Sequence, residues 1–177
     1  MGERKGDYMD FLDFLKQRRS YRQYTGEPVE KELLDKIVEA GLLAPSGRNI
    51  KPEELIVVTD PKLLTQLSQC RKVGSQMLEG AGACIIVLGD EDKTDVWVED
   101  CSNVVLTMHY MASSLGLGSC WINRAKEEFA SEEGKQLLKE WGIEGEYEGV
   151  GHCILGYADG PVPQAAPRKA NRVFYVK

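Results

Sequence analysis

Histidine is scarce: His109 and His152 are the two in 177 residues. The five cysteines, Cys70, Cys84, Cys101, Cys120 and Cys153, contain no C-x-x-C pair and are odd in number. Neither a zinc-ligand spacing nor a disulfide framework can be drawn from them. The first residues, Met-Gly-Glu-Arg-Lys-Gly, hold no apolar signal segment, and Gly6 stands where a myristoylation signal needs Ser or Thr. Reduced thiols in a cytoplasmic protein are therefore expected. Basic residues are in deficit, 22 against 28 acidic ones for a formal charge of −6, and the phosphate contacts that dominate nucleic-acid affinity are poorly supplied. Long apolar runs are missing as well. The longest apolar stretch, over residues 96–117, carries Glu99, Asp100, Ser102 and Asn103 near its start, which is too polar to span a membrane.

Several catalytic signatures are also absent. There is no G-x-x-x-x-G-K-[ST] phosphate loop and no G-x-S-x-G nucleophile elbow. Gly116-Leu117-Gly118-Ser119-Cys120-Trp121 begins like a dinucleotide fingerprint but lacks the third glycine. It also follows a helical pattern and enters a strand pattern, the reverse of the required context.

What remains is an ordinary globular composition: 42% hydrophobic, 28% charged, 18 Gly and 7 Pro. A single domain is expected over residues 1–177, with 1–9 flexible. A chain of this length buries roughly 70% of the surface its unfolded form exposes. Phe11, Leu12, Phe14 and Leu15 predict a short amphipathic helix. Pro28 sits well in a first turn, and Leu33, Leu34, Ile37, Val38 and Leu42 predict a helix over 29–42. Strands are predicted over 54–59, 83–88, 119–122, 151–157 and 172–176. Helices are predicted from 60 to about 70, over 95–115 (apolar most of the way round, hence central) and over 126–141. The order is not a regular βαβ alternation, so the class is α+β.

Two basic clusters stand out in this acidic chain: Arg18, Arg19 and Arg22, and Arg168, Lys169 and Arg172. Forked guanidinium donors match phosphate oxygens, and the two clusters could clamp one phosphomonoester. Alternatively the first is a solvated helix end that complements the helix dipole. Pro45-Ser46-Gly47-Arg48-Asn49 is either a polar loop that grips a ring system or a plain helix-to-strand connection. Trp121 could pack on a flat ligand or fill the core. Cys120 has no histidine beside it in sequence and is not expected to be a nucleophile. His109, among Met108, Tyr110 and Met111, suits a core or interface position better than a proton donor.

Together these segments resemble the nitroreductase family of FMN-dependent oxidoreductases. The matching pieces, in the family's order, are Arg18-Arg19-Ser20-Tyr21-Arg22, Ala44-Pro45-Ser46-Gly47-Arg48-Asn49-Ile50-Lys51-Pro52, Gly116-Leu117-Gly118-Ser119-Cys120-Trp121-Ile122, and Ile154-Leu155-Gly156-Tyr157 with Arg168-Lys169. The resemblance implies a three-layer α+β fold, mostly antiparallel, and an intertwined homodimer with two FMN sites at the interface. The long helix would be buried between subunits, and residues 172–177 could add a strand to the partner's sheet.

By the same resemblance, Arg18 and the Arg168-Lys169 pair look like the phosphate clamp. Arg19 and Ser20 look like contacts to the phosphate-ribityl side, and Arg22 like the cation near flavin N1 and O2. Pro45, Ser46 and Asn49 look like the loop that reaches the partner's flavin. Cys120, Trp121, Ile122 and Asn123 look like the segment lining the isoalloxazine. Arg71, Lys72, Ser75 and Gln76 lie in the region of the flavin's pyrimidine edge. Residues 89–96 leave no room for the helical lid of larger relatives, which marks a compact member.

The implied activity is ping-pong reduction of small acceptors, such as nitroaromatics or quinones, by NAD(P)H. Reductive dehalogenation, flavin fragmentation or substrate oxidation on the same fold, and a non-catalytic FMN-binding dimer, are the alternatives.

Overall fold

The structure, a computed structural model, describes residues 10–69, 75–123 and 125–177. Its centre is set by the run Ala83–Gly89, in which every residue is buried. Strands β1 (Glu53–Val58), β2 (Ala83–Gly89), β3 (Gly118–Asn123) and β4 (Glu148–Gly156) form one sheet in the order β1-β2-β4-β3. Every neighbouring pair is antiparallel.

Alternation of side chains sends Ala83, Ile85, Val87, Cys153 and Leu155 to one face and Cys84, Ile86, Leu88 and Ile154 to the other. Both faces must therefore be covered, since each fully buried aliphatic side chain contributes about 1.5–3 kcal/mol. Helices α2 (Lys31–Leu42) and α4 (Trp97–Ser114) cover the first face through Leu34, Ile37, Val104, Val105 and Met108. Helices α3 (Pro61–Ser68), α5 (Ala125–Phe129) and α6 (Glu132–Glu140) cover the second through Leu64, Leu67, Phe129 and Leu138. The result is the expected three-layer α+β fold. Among the described residues no helix is long and apolar enough to cross a membrane.

Three local expectations need correction. The helix over 29–42 begins at Lys31, so Pro28 precedes it and Val29 instead packs into the core at 5% exposure. The helix over 126–141 is two helices. Ser131 caps α6 by accepting the Gly134 N–H at 3.0 Å, and a Cβ on Gly134 would collide with the Glu128 carbonyl. The chain must therefore turn between α5 and α6. Residues 172–176 pair with no strand among the described residues, and Phe174, Tyr175 and Val176 are 84–96% exposed. In the single chain, α4 leaves Val98 and Leu106 45% and 42% exposed. Helix α1 (Phe11–Gln17) buries no residue and only leans Phe11 and Phe14 edge-on against Tyr110 of α4.

His109 is the main polar group on the buried side of α4. Its Nδ1 lies 2.8 Å from the Ser119 hydroxyl. Burial, and secondly the charge of Arg18, push its pKa down to about 4. The unfolded chain takes up this proton near pH 6.5. The folded-state pKa is the depressed one, so the unfolded state binds more protons below that pH. The contribution is present above pH 6.5 and is lost as pH falls towards 4. It amounts to about 3 kcal/mol. Urea unfolding between pH 7 and pH 5 should show stability falling with pH, with a shallower fall in His109→Gln. Equal slopes in the two proteins would contradict this assignment.

Candidate functional site

After α1 the chain turns into extended backbone at Arg18 (φ −56°, ψ 133°). It then lies against the free edge of β3. Ser20 bridges Ser119 in the parallel sense, and the Tyr21 N–H donates to the Ser119 carbonyl at 3.0 Å. Further on, Tyr24 bridges Ala158 and the Thr25 N–H donates to the Tyr157 carbonyl at 3.0 Å. This approach requires glycine at two points. A Cβ on Gly118 would sit 3.0 Å from that of Tyr21, and one on Gly156 would sit 2.9 Å from the Tyr24 ring. Three of the four sequence segments thus meet at one end of the sheet.

The charges at this junction are positive. Arg18 is half-buried, and its charge reaches both His109 and Cys120. Arg22 is exposed, donates to the Ser20 carbonyl at 3.4 Å, and also acts on Cys120. Among the described residues no ion pair joins a carboxylate to Arg18, Arg19 or Arg22. Burial raises the Cys120 thiol above its usual range, with Arg22, the Ser20 hydroxyl and Arg18 pulling the other way. Cys120 is thus a buried neutral thiol and not an activated nucleophile. Burial pushes the Tyr24 hydroxyl up as well, and that hydroxyl donates to the Tyr21 carbonyl at 2.7 Å.

Arg19 behaves differently from its neighbours. Its guanidinium donates to the carbonyls of Pro163 at 3.0 Å, Lys16 at 2.5 Å and Arg18 at 2.7 Å. It straps the loop after β4 to the end of α1. It also lines a cavity of about 610 Å³ with Lys16, Tyr21, Ser113, Ser114 and Val162, a size within the usual range for small-molecule sites.

Along β3, Cys120 and Ile122 turn into the second core at 3% and 4% exposure, so only their backbone can line a ligand. Trp121 faces the other way. It rests on Gly151, where a Cβ would collide with the indole nitrogen. With Asn123 it lines a cavity of about 480 Å³ that also takes in Trp97, Ser102 and Lys126. Trp97 and Lys126 are additions that sequence reasoning missed, because neither lies in one of the recognisable segments. Arg168 and Lys169 are exposed on the irregular C-terminal segment. Arg71 and Lys72 lie outside the described residues. Ser75 is buried, with its hydroxyl donating to the Ser68 carbonyl at 2.6 Å, and Gln76 is exposed at the start of a 3-10 turn.

The fourth segment does not join the other three. Loop 45–51 is held at the start of α4: the Gly47 N–H donates to Asp100 at 2.8 Å, the Asn103 amide donates to the Pro45 carbonyl at 3.3 Å, and Arg48 reaches Thr94 at 3.0 Å and Asp95 at 2.6 Å. Arg48, Asn49 and Lys51 all have φ of 54–56°, a left-handed conformation that asparagine tolerates but that costs residues such as Arg48 and Lys51 about 1–2 kcal/mol each. Pro45, Ser46 and Asn49 are therefore fixed near the first turns of α4, whereas Arg19 and Tyr21 border its last turn. The helix has 18 residues, which makes it about 27 Å long.

Comparison with known proteins gives the family and the fold. The nitroreductase family profile matches residues 15–157. An Archaeoglobus fulgidus protein provisionally named an NADH dehydrogenase/NAD(P)H nitroreductase is 35% identical over 133 residues, 73% of this chain and 74% of its own. An FMN-dependent nitroreductase from Clostridium difficile superposes with a TM-score of 0.76 at 40% identity, covering 85% of this chain and 88% of that one. A nitroreductase with bound FMN from Bacteroides fragilis gives 0.84 at 26% identity, covering 96% and 100%. The chain belongs to the nitroreductase family.

Proposed function

We propose that this chain is an NAD(P)H-dependent oxidoreductase that holds FMN at the interface of a homodimer and reduces small acceptors such as nitroaromatics or quinones. The observation that carries this reading is the unneutralised positive charge of Arg18 and Arg22 beside the β3 edge. A half-buried guanidinium without a carboxylate partner is costly, and a phosphate offers the matching acceptors. The residues present thus fit FMN, the group on which the Clostridium difficile relative depends and which the Bacteroides fragilis relative binds. When bound, FMN supplies the two-electron chemistry between nicotinamide and acceptor.

The chain's own groups have defined tasks in this reading. Arg18, with Arg168 and Lys169, neutralises the phosphate, and the Ser20 hydroxyl lies on the phosphate-ribityl side. Arg22 places positive charge near N1 and O2, where reduction adds negative charge, and so favours the reduced form. Trp121 and Asn123 wall the ring, and the backbone of β3 offers an N–H towards N5. Arg19 acts indirectly, by fixing the loop after β4.

Two features support a two-chain site. Pro45, Ser46 and Asn49 sit at the far end of α4 from the basic segment, so they suit the partner's site better than their own. Strand β1 is an edge strand, and the exposed apolar residues 173–176 suit pairing with the partner's copy of it.

Protein mixed with FMN and desalted should keep a visible flavin spectrum that bleaches under anaerobic NAD(P)H. The combined Arg18→Ala and Lys169→Ala variant should lose at least about tenfold in FMN affinity. Unchanged retention in that variant would return the basic cluster to a solvated helix end. Because one open face serves donor and acceptor in turn, initial-velocity lines at varied NAD(P)H and acceptor should be parallel, and intersecting lines would rule this out. Deleting residues 172–177 should shift sedimentation from dimer towards monomer; an unaltered dimer would remove the strand-exchange reading.

A further inference from the structure

Loop 45–51 poses a physical problem that the function above leaves open. Three non-glycine residues, Arg48, Asn49 and Lys51, adopt left-handed backbone within four positions. Such strain persists only where the surroundings over-determine it. Arg48 and Asp95 form one anchor, but their side chains are 67% and 82% exposed, and a surface ion pair contributes little. The Asn103 contact to Pro45 is long, at 3.3 Å, and exposed.

Asp100 is the exception. It is 3% exposed, in the first turn of α4, and its Oδ1 accepts the Gly47 N–H at 2.8 Å. Its other oxygen, Oδ2, is buried and has no hydrogen-bond partner among the described residues. A carboxyl group half-satisfied in the interior is a poor way to stabilise a fold, since an apolar residue there would avoid the desolvation. Gly47 fits the same purpose. A Cβ there would sit 2.8 Å from the Val96 side chain and 3.7 Å from both Asp100 oxygens, so the glycine lets the loop backbone come down onto the carboxyl group.

We propose that Asp100 is a positioning residue: by accepting the Gly47 N–H it holds loop 45–51 in its strained form, ready to complete the FMN site of the second subunit, at the expense of its own burial. The inference rests on the reading that this loop serves the partner's flavin. Asp100 touches neither cofactor nor substrate in this scheme and acts only through the loop.

The test uses the full chain as wild type, Asp100→Ala and Asp100→Asn. Arg48 is exposed in the loop and followed by Asn49, so trypsin reports on the loop without any flavin present, whereas the Lys51–Pro52 bond resists it. Cleavage after Arg48 should be about tenfold faster in Asp100→Ala, and within about twofold of wild type in Asp100→Asn, whose amide oxygen still accepts the Gly47 N–H. The FMN dissociation constant should rise in the same order among the three proteins. The thermal midpoint of Asp100→Ala should be unchanged or higher, which a merely structural role would not produce. Unchanged cleavage in Asp100→Ala would overturn the proposal. So would faster cleavage accompanied by a lower midpoint, or a freed loop with unaltered FMN affinity. If the wild-type protein itself retains no FMN, the functional reading fails, and the proteolysis series still decides whether Asp100 holds the loop.

Discussion

Burial of both faces of the two central strands is the constraint from which the rest of this structure follows. Strands β2 and β4 have no polar face to give to water, so the chain must supply a helical layer on each side. It does so with α2 and α4 on one face and α3, α5 and α6 on the other. The demand is met on the faces but not at the edges. Ser20 and Tyr21 cover the start of β3, whereas among the described residues β1 has no neighbour beyond β2. The same chain leaves Phe11, Leu12, Val98 and Leu106 partly exposed and the apolar residues 173–176 almost fully so. Unpaired edge and exposed apolar surface are liabilities in a monomer. In the proposed dimer, a second copy of the chain covers both.

The way β3 is covered also creates the site. The segment that closes its edge is the one that carries Arg18 and Arg22, so sheet completion and placement of positive charge are a single event. The chain then tolerates the charge by keeping its neighbours neutral. His109 is pushed down and the Cys120 and Cys153 thiols are pushed up, with burial the largest cause in each case. No thiolate competes with an anionic ligand for the arginines, and no imidazolium adds a repelling like charge beside them. Glycine at 118 and 156 is what permits the approach.

Much of this was legible in the residues. The uninterrupted apolar run at 83–88 announced a strand buried on both faces, and the apolar helix over 95–115 announced the central one. The division of residues 126–141 has a local cause that apolar spacing does not report: Ser131 caps the second helix, and Gly134 passes the Glu128 carbonyl. Arg19 illustrates a different limit. Its charge was visible, but its three carbonyl acceptors include Pro163, which is 144 residues away and which no local pattern connects to it. Ile122 was grouped with Trp121 by adjacency, although strand alternation already places the two side chains on opposite faces. Asp100 carried a signal that could have been read further. A carboxylate amid an apolar helical pattern excludes a membrane span, and it also calls for a specific partner.

Helix α4 ties these observations together, because one element serves three masters. Its buried stripe fills the first core, its start holds the strained loop, and its end borders the basic segment. In a single chain these two functional ends stand apart by the length of the helix. In a two-fold symmetric dimer each contact between the copies occurs twice, so one strained loop brought to the other chain's basic segment is matched by the reciprocal pair. Folding, dimerisation and site assembly then become one problem, solved by the placement of α4 against the sheet. The separation of the two ends follows from the rise of an α-helix and the number of its residues, and no side-chain rearrangement within one subunit can close it.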